Sequence, residues 1–132
     1  MTTYPFKLES NGIIVPCSVK GPQGIASLDM IIDTAATLTV LPINLLMKVG
    51  IDVNEKTSIA WIETANGLVP RPVVRIPKMA VLGTLLSDVE AVGINFAPTG
   101  LRRRGLLGLN VLKRFDFCVR NSCEELEFNR LY

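Results

Sequence analysis

Asp33 closes a run of apolar residues, Met30-Ile31-Ile32, and is followed by Thr34-Ala35-Ala36-Thr37 and by a further apolar stretch at residues 38–41. An ionised carboxylate behind a buried strand is costly unless it is paired, hydrogen-bonded or put to use. Asp33 is therefore the residue from which a chemistry can be argued, as a base toward water or a hydrogen-bonding partner of a substrate carbonyl. The chain contains no His, which removes Ser or Cys nucleophiles activated by imidazole and the commonest zinc-ligand sets. Cys17, Cys118 and Cys123 are odd in number and sparse, so they read as free thiols of a reducing compartment. With no second Cys pair and no His to complete a ligand set, no metal site is expected; no organic cofactor is expected either.

The 132 residues, 48% of them hydrophobic, suit a single domain over 1–132 with a core that needs no staple. Lys plus Arg number 14 against 12 Asp plus Glu, too even a balance to imply a nucleic acid partner. No run of 18 apolar residues occurs, and the N-terminus shows no basic segment leading into an apolar one. No membrane association and a cytoplasmic location are expected.

The elements that must position Asp33 are short apolar runs broken by turn residues, which makes the chain mainly β. Residues 4–8 alternate up to Ser10-Asn11-Gly12, residues 13–19 run to Gly21-Pro22-Gln23-Gly24, and residues 25–32 lead into Asp33. A strand resumes at 38–41, and Pro42, the block 43–49 and Gly50 predict a short helix. Residues 57–63 and 68–76 flank Ala65-Asn66-Gly67, a hairpin signal. Pro70 and Pro72 confine that arm to a sheet edge. A further strand pair is expected at 79–83 and 85–93, then a loop over 96–104, a short buried strand at Leu106-Leu107-Gly108, a helical turn or two at 109–114, and a strand at 115–119. Residues 124–128 alternate as a terminal strand able to pair with another chain.

Three of these segments resemble the retropepsin-like (retroviral-type, clan AA) aspartic proteases. The family signature of two apolar residues, Asp-Thr/Ser-Gly-Ala-Ser/Thr and an apolar strand is matched by Ile31-Ile32-Asp33-Thr34-Ala35-Ala36-Thr37. Its second element, two apolar residues and Gly before a short helix, is matched by Leu106-Leu107-Gly108. Its flap hairpin is matched by Thr64-Ala65-Asn66-Gly67. They stand in family order across about residues 25–117. The resemblance implies an all-β, single-domain, closed β-barrel with a flap hairpin and a short helix after the second motif. It also implies an aspartic endopeptidase acting on peptide or protein substrates as a homodimer, with terminal strands interleaved at the interface.

By the same resemblance Asp33 is the catalytic carboxylate, and Thr34 hydrogen-bonds across the twofold. Ala36 and Thr37 support the loop, and Gly108 lets a chain segment pass closely beneath it. The chemistry needs two adjacent carboxyl groups sharing a proton, and the chain supplies one such motif. Asp29 lies earlier in the same strand, Asp52 follows the helix, Asp88 sits in a strand pair and Asp116 follows the second element. The second carboxylate is then Asp33 of another copy, which requires a homodimer. Ala35 departs from the family's usual Gly. Its methyl costs little if φ is negative, the expected case, and strains the loop if φ is positive.

Two other functions are compatible with parts of the pattern. A catalytically weak or inactive retropepsin-like dimerisation or peptide-binding module has the same fold and cleft, and differs only in turnover. A nucleic-acid-binding β domain would use Arg102-Arg103-Arg104, but the charge balance disfavours it and the run reads as a solvated loop. Trp61, on the flap arm, either closes over substrate or packs beneath the hairpin.

Overall fold

Turn chemistry and alternation fold the chain into strands whose order places the Asp33 segment next to a distant one. The structure is a computed structural model that describes residues 2–9, 12–95 and 104–131. The strands are β1 (Thr2–Pro5), β2 (Lys7–Glu9), β3 (Gly12–Gly21), β4 (Gly24–Ile32), β5 (Thr39–Pro42), β6 (Ser58–Thr64), β7 (Gly67–Val81), β8 (Thr84–Ile94), β9 (Gly105–Leu107), β10 (Phe115–Arg120) and β11 (Glu125–Arg130). Two short helices, α1 (Ile43–Lys48) and α2 (Leu109–Leu112), complete an all-β fold.

The larger sheet has the order β2-β3-β4-β9-β5-β8-β7-β6, and β3 also pairs with β7. The pairings thus run from β3 through β4, β9, β5, β8 and β7 and return to β3. Inside lie Val15, Val19, Met30, Leu41, Ile76, Met79, Leu86 and Leu107, all fully buried. Each such side chain contributes about 1.5–3 kcal/mol over leaving it in water. Leu46 of α1 caps the same core.

β9 is the element that meets the Asp33 segment. It runs parallel to β4, with Met30 opposite Gly105 and Ile32 opposite Leu107, and antiparallel to β5 through Val40 and Leu106. The second motif therefore lies between the strands that enter and leave the Asp33 loop.

Several expectations change. Residues 4–8 do not form one strand: Phe6 is buried, and its N–H donates to the carbonyl of Glu124 at 3.0 Å. The chain turns there, so β1 joins β11 and β2 joins β3. β1, β11 and β10 form a separate three-stranded sheet, and the terminal strands pair with each other within one chain. β7 runs unbroken through Pro77, where two strands were expected. The β7–β8 ladder skips that position, between Ile76–Val89 and Lys78–Ser87, because proline has no N–H to give. Opposite it Asp88 has φ +54°. The flap arm is at an edge, with Pro70 and Pro72 in the part of β7 that pairs with β6 alone.

Of the triple Arg run, Arg102 and Arg103 lie outside the described residues, as do residues 96–101 of the expected loop and Ser10-Asn11 of the first turn. Arg104 is not solvated. It is 7% exposed and pairs with Glu9 at 2.5 Å, so the start of β9 is tied to β2 by an ion pair rather than left in solvent. No helix among the described residues is long and apolar enough to cross a membrane.

Candidate active site

The loop after β4 is fixed by its own backbone. The Asp33 N–H donates to the Leu107 carbonyl at 3.0 Å, which carries the β4–β9 pairing one residue into the loop. The Ala35 N–H donates to Asp33 Oδ1 at 3.0 Å, and the Ala36 N–H donates to the Asp33 carbonyl at 3.2 Å. This is the turn that Asp side chains make with the backbone two residues on. It orients the half-buried carboxylate while one oxygen remains for other partners. Thr34, Ala35 and Thr37 are exposed and Ala36 is half-buried. Ala35 is not a positive-φ residue; among the described non-glycine residues those are Leu82, Asp88 and Glu124. Its methyl therefore carries no left-handed strain.

The second motif supports this loop from below. The Leu109 N–H donates to the Ala36 carbonyl at 2.7 Å, and the Asn110 N–H donates to the Thr37 carbonyl at 3.2 Å. At Gly108 the chains come so close that an added Cβ would lie 2.6 Å from the Leu38 oxygen and the Thr39 nitrogen. The φ of Gly108 is −86°, so the demand for glycine there is space, not conformation.

Sequence reasoning missed two residues of this support. Thr39 is fully buried; its hydroxyl accepts the Gly108 N–H at 3.1 Å and donates to Asn110 Oδ1 at 2.9 Å. The same oxygen accepts the Thr39 N–H at 2.9 Å, and the Asn110 amide donates to the Glu90 carbonyl at 2.8 Å. The available signal was a hydroxyl inside the apolar run 38–41 and an amide two residues after Gly108.

The hairpin tip is held differently. Ala65 and Asn66 form the turn between paired Thr64 and Gly67. The Thr64 hydroxyl donates to the Gly67 carbonyl at 2.8 Å, and Gly67 has φ +104°, a conformation glycine adopts without penalty. Among the described residues no hydrogen bond joins this tip to the Asp33 loop. Lower on the arm, Ala60 and Ile62 pack with Leu38, Ile94 and Leu106 around Val40, Val73 and Val92. Trp61 lies on the opposite face and is 64% exposed, so it does not pack beneath the hairpin.

The other carboxylates have other surroundings. Asp52 accepts the Asn54 N–H at 2.9 Å as a local cap, and Asp88 and Asp116 are exposed on β8 and β10. Burial, and then the charge of Asp29, push the Cys17 thiol up to about 12, so it stays protonated and unreactive.

The fold is similar to that of solved structures. A retropepsin-like aspartic protease from Rickettsia conorii superposes with a TM-score of 0.65 at 16% identity, covering 95% of this chain and 88% of that one. The retroviral protease-like domain of Ddi1 from Leishmania major gives 0.51 at 14% identity, covering 89% and 94%. A search of curated proteins found no match. A family model described as aspartyl protease matches residues 15–111, a span that holds Asp33, the hairpin tip and Gly108. With that match over most of its length and a retropepsin-like fold, the chain belongs to the aspartyl protease family.

Proposed function

We propose that the chain is an aspartic endopeptidase that works as a homodimer, its Asp33 and the partner's Asp33 sharing one proton. The observation that carries this reading is the Asp33 carboxylate at the mouth of the loop. It is oriented by the Ala35 N–H at 3.0 Å, and its backbone is tied to Leu107. The ionised member of the pair takes a proton from water as the water oxygen adds to the peptide carbonyl carbon. The protonated member donates to the carbonyl oxygen. Collapse of the tetrahedral species breaks the C–N bond as a proton passes to the departing nitrogen. The exposed Thr34 is assigned to the twofold contact, Ala36 and Thr37 to loop support, and Thr64, Ala65, Asn66 and Gly67 to the flap over substrate. Leu106, Leu107 and Gly108 form the floor. The returning strand pairings support a closed barrel over a single domain, 1–132, and the free thiols suit the cytoplasm.

The test is a peptide-library digest, from acid to neutral pH, with wild type beside Asp33→Asn. The proposal expects cleavage by the wild type within that range and none from the variant. Because Ala35 is unstrained, Ala35→Gly is expected to change the rate by less than about threefold, while the added chain freedom costs about 0.4–1 kcal/mol of stability. A wild type inert at every pH that gains turnover only as Ala35→Gly would instead identify a binding module.

A further inference from the structure

The two edges of the hairpin arm are not alike. Among the described residues β6 pairs with β7 alone, and in that ladder Ile59 lies opposite Pro72 and Trp61 opposite Pro70. Opposed residues of an antiparallel pair either exchange both N–H···O bonds or exchange none. Proline has no N–H to give, so Ile59–Pro72 and Trp61–Pro70 are pairs of the second kind. The backbone N–H and C=O groups of Ile59 and Trp61, and by the same alternation those of Glu63, therefore point away from β7. On the far edge, where β7 runs beyond its pairing with β8, Pro70 and Pro72 withhold the donors that an added strand would need. One edge of the arm is closed to a further strand and the other is open.

The side chains along the open edge are apolar where an exposed edge is ordinarily guarded by charge. Ile59, Trp61 and Glu63 share a face with Leu68, Pro70 and Pro72 across the ladder, and Ile59, Trp61 and Leu68 are exposed. At the foot of the arm this face borders a surface cavity of about 240 Å³, whose lining includes Val53, Lys56, Ile59, Arg71 and Pro72. Two cations and no carboxylate line it. Arg71 donates from Nη1 to the Pro70 carbonyl at 3.0 Å, which leaves its other nitrogens for an anion. Of the carboxylates close by in sequence, Asp52 accepts the Asn54 N–H and Glu55 is exposed. The apolar face lies on the opposite side of β6 from Ala60 and Ile62, which pack with Leu38 and Leu106.

We propose that the β6 edge is a docking site for an extended segment of a partner protein, added as one more antiparallel strand. The main chain of the segment bonds to the outward groups of Ile59, Trp61 and Glu63, and its alternate apolar side chains cover Ile59 and Trp61. A carboxylate beyond them meets Lys56 and Arg71, and a cation at the other end meets Glu63. An antiparallel segment thus carries its basic residue first and its acidic residue last. The site uses none of the residues assigned to the Asp33 chemistry, and it stands whether or not the chain cleaves peptides.

Trp61 is the sole tryptophan of the chain, so its fluorescence reports on this edge. The probe is a terminally blocked heptapeptide of sequence KTVTVTE, titrated with Asp33→Asn in every chain so that it is not cleaved. It is compared with the same peptide N-methylated at both valines and with the charge-reversed ETVTVTK. Ile59→Pro removes one outward donor and spares the β6–β7 bonds, to which Ile59 does not contribute; Lys56→Glu reverses one charge at the cavity. A saturable change in Trp61 fluorescence is expected with KTVTVTE. N-methylation or Ile59→Pro is expected to weaken it at least about fivefold, through lost main-chain bonds. ETVTVTK is expected to bind at least about threefold more weakly, a preference that Lys56→Glu narrows or inverts. No saturable change, an N-methylated probe that binds as well, or binding indifferent to Ile59→Pro overturns strand addition at β6. Sedimentation of the chain alone showing self-association that Ile59→Pro abolishes would give the edge to a second copy, and would overturn the proposal too.

Discussion

The Asp33 loop and the Thr64–Gly67 hairpin, proposed above as catalytic loop and flap, are held by opposite means. The loop is fixed from below: Asp33 to Leu107, Ala36 to Leu109, Thr37 to Asn110, and Thr39 to both Gly108 and Asn110. The hairpin is an edge arm whose side chains largely face water, with Ile59 50%, Trp61 64% and Leu68 66% exposed. Local opening costs little where buried contacts are few and approaches the global value where they are many. The Asp33 carboxylate thus sits on backbone that cannot move independently of the core, and the hairpin tip sits on backbone that can. Among the described residues, Ala60 and Ile62, packed near Leu38 and Leu106, link the arm to the strands beside the loop.

Variants that sharpen this contrast fall in a clear order. Asp33→Asn keeps the shape but removes the base, so turnover is expected to fall by roughly 10²–10⁴-fold or below detection with the melting temperature little changed. Gly108→Ala drives a methyl into the Leu38–Thr39 backbone. A loss of about 3 kcal/mol in urea unfolding is expected, with activity lost through displacement of the loop. Asn110→Ala strands the buried Thr39 hydroxyl and N–H, for an expected cost of about 1–3 kcal/mol. Trp61→Ala is expected to change stability by less than about 0.5 kcal/mol and to show its effect in KM rather than in unfolding. A hairpin variant as destabilising as the Gly108 variant would contradict the contrast.

What the sequence displayed and what it concealed divide along the same physical line. Asp33 stood out because a carboxylate after Met30-Ile31-Ile32 violates the apolar pattern, and Asn66-Gly67 because few residues accept a hairpin turn. Thr39 did not stand out: threonine is at home in strands, and nothing local announces that its hydroxyl will bond a residue 71 positions away. Arg104 was misjudged for the same reason. Its partner Glu9 is remote in sequence, and a charge run looks solvated until the fold supplies its counter-ion. Alternation at residues 124–128 announced a strand, but the choice of partner depended on Phe6 turning the chain so that β1 meets β11.

The central claim is that each active site takes one Asp33 from each of two copies. Mixing wild type with Asp33→Asn at constant total chain concentration, with time for subunits to exchange, measures this directly. If both carboxylates are required, activity falls as the square of the wild-type fraction, so an equal mixture retains about a quarter. A linear fall, with half the activity left in that mixture, would show that each chain acts through its own Asp33 and would contradict the shared dyad.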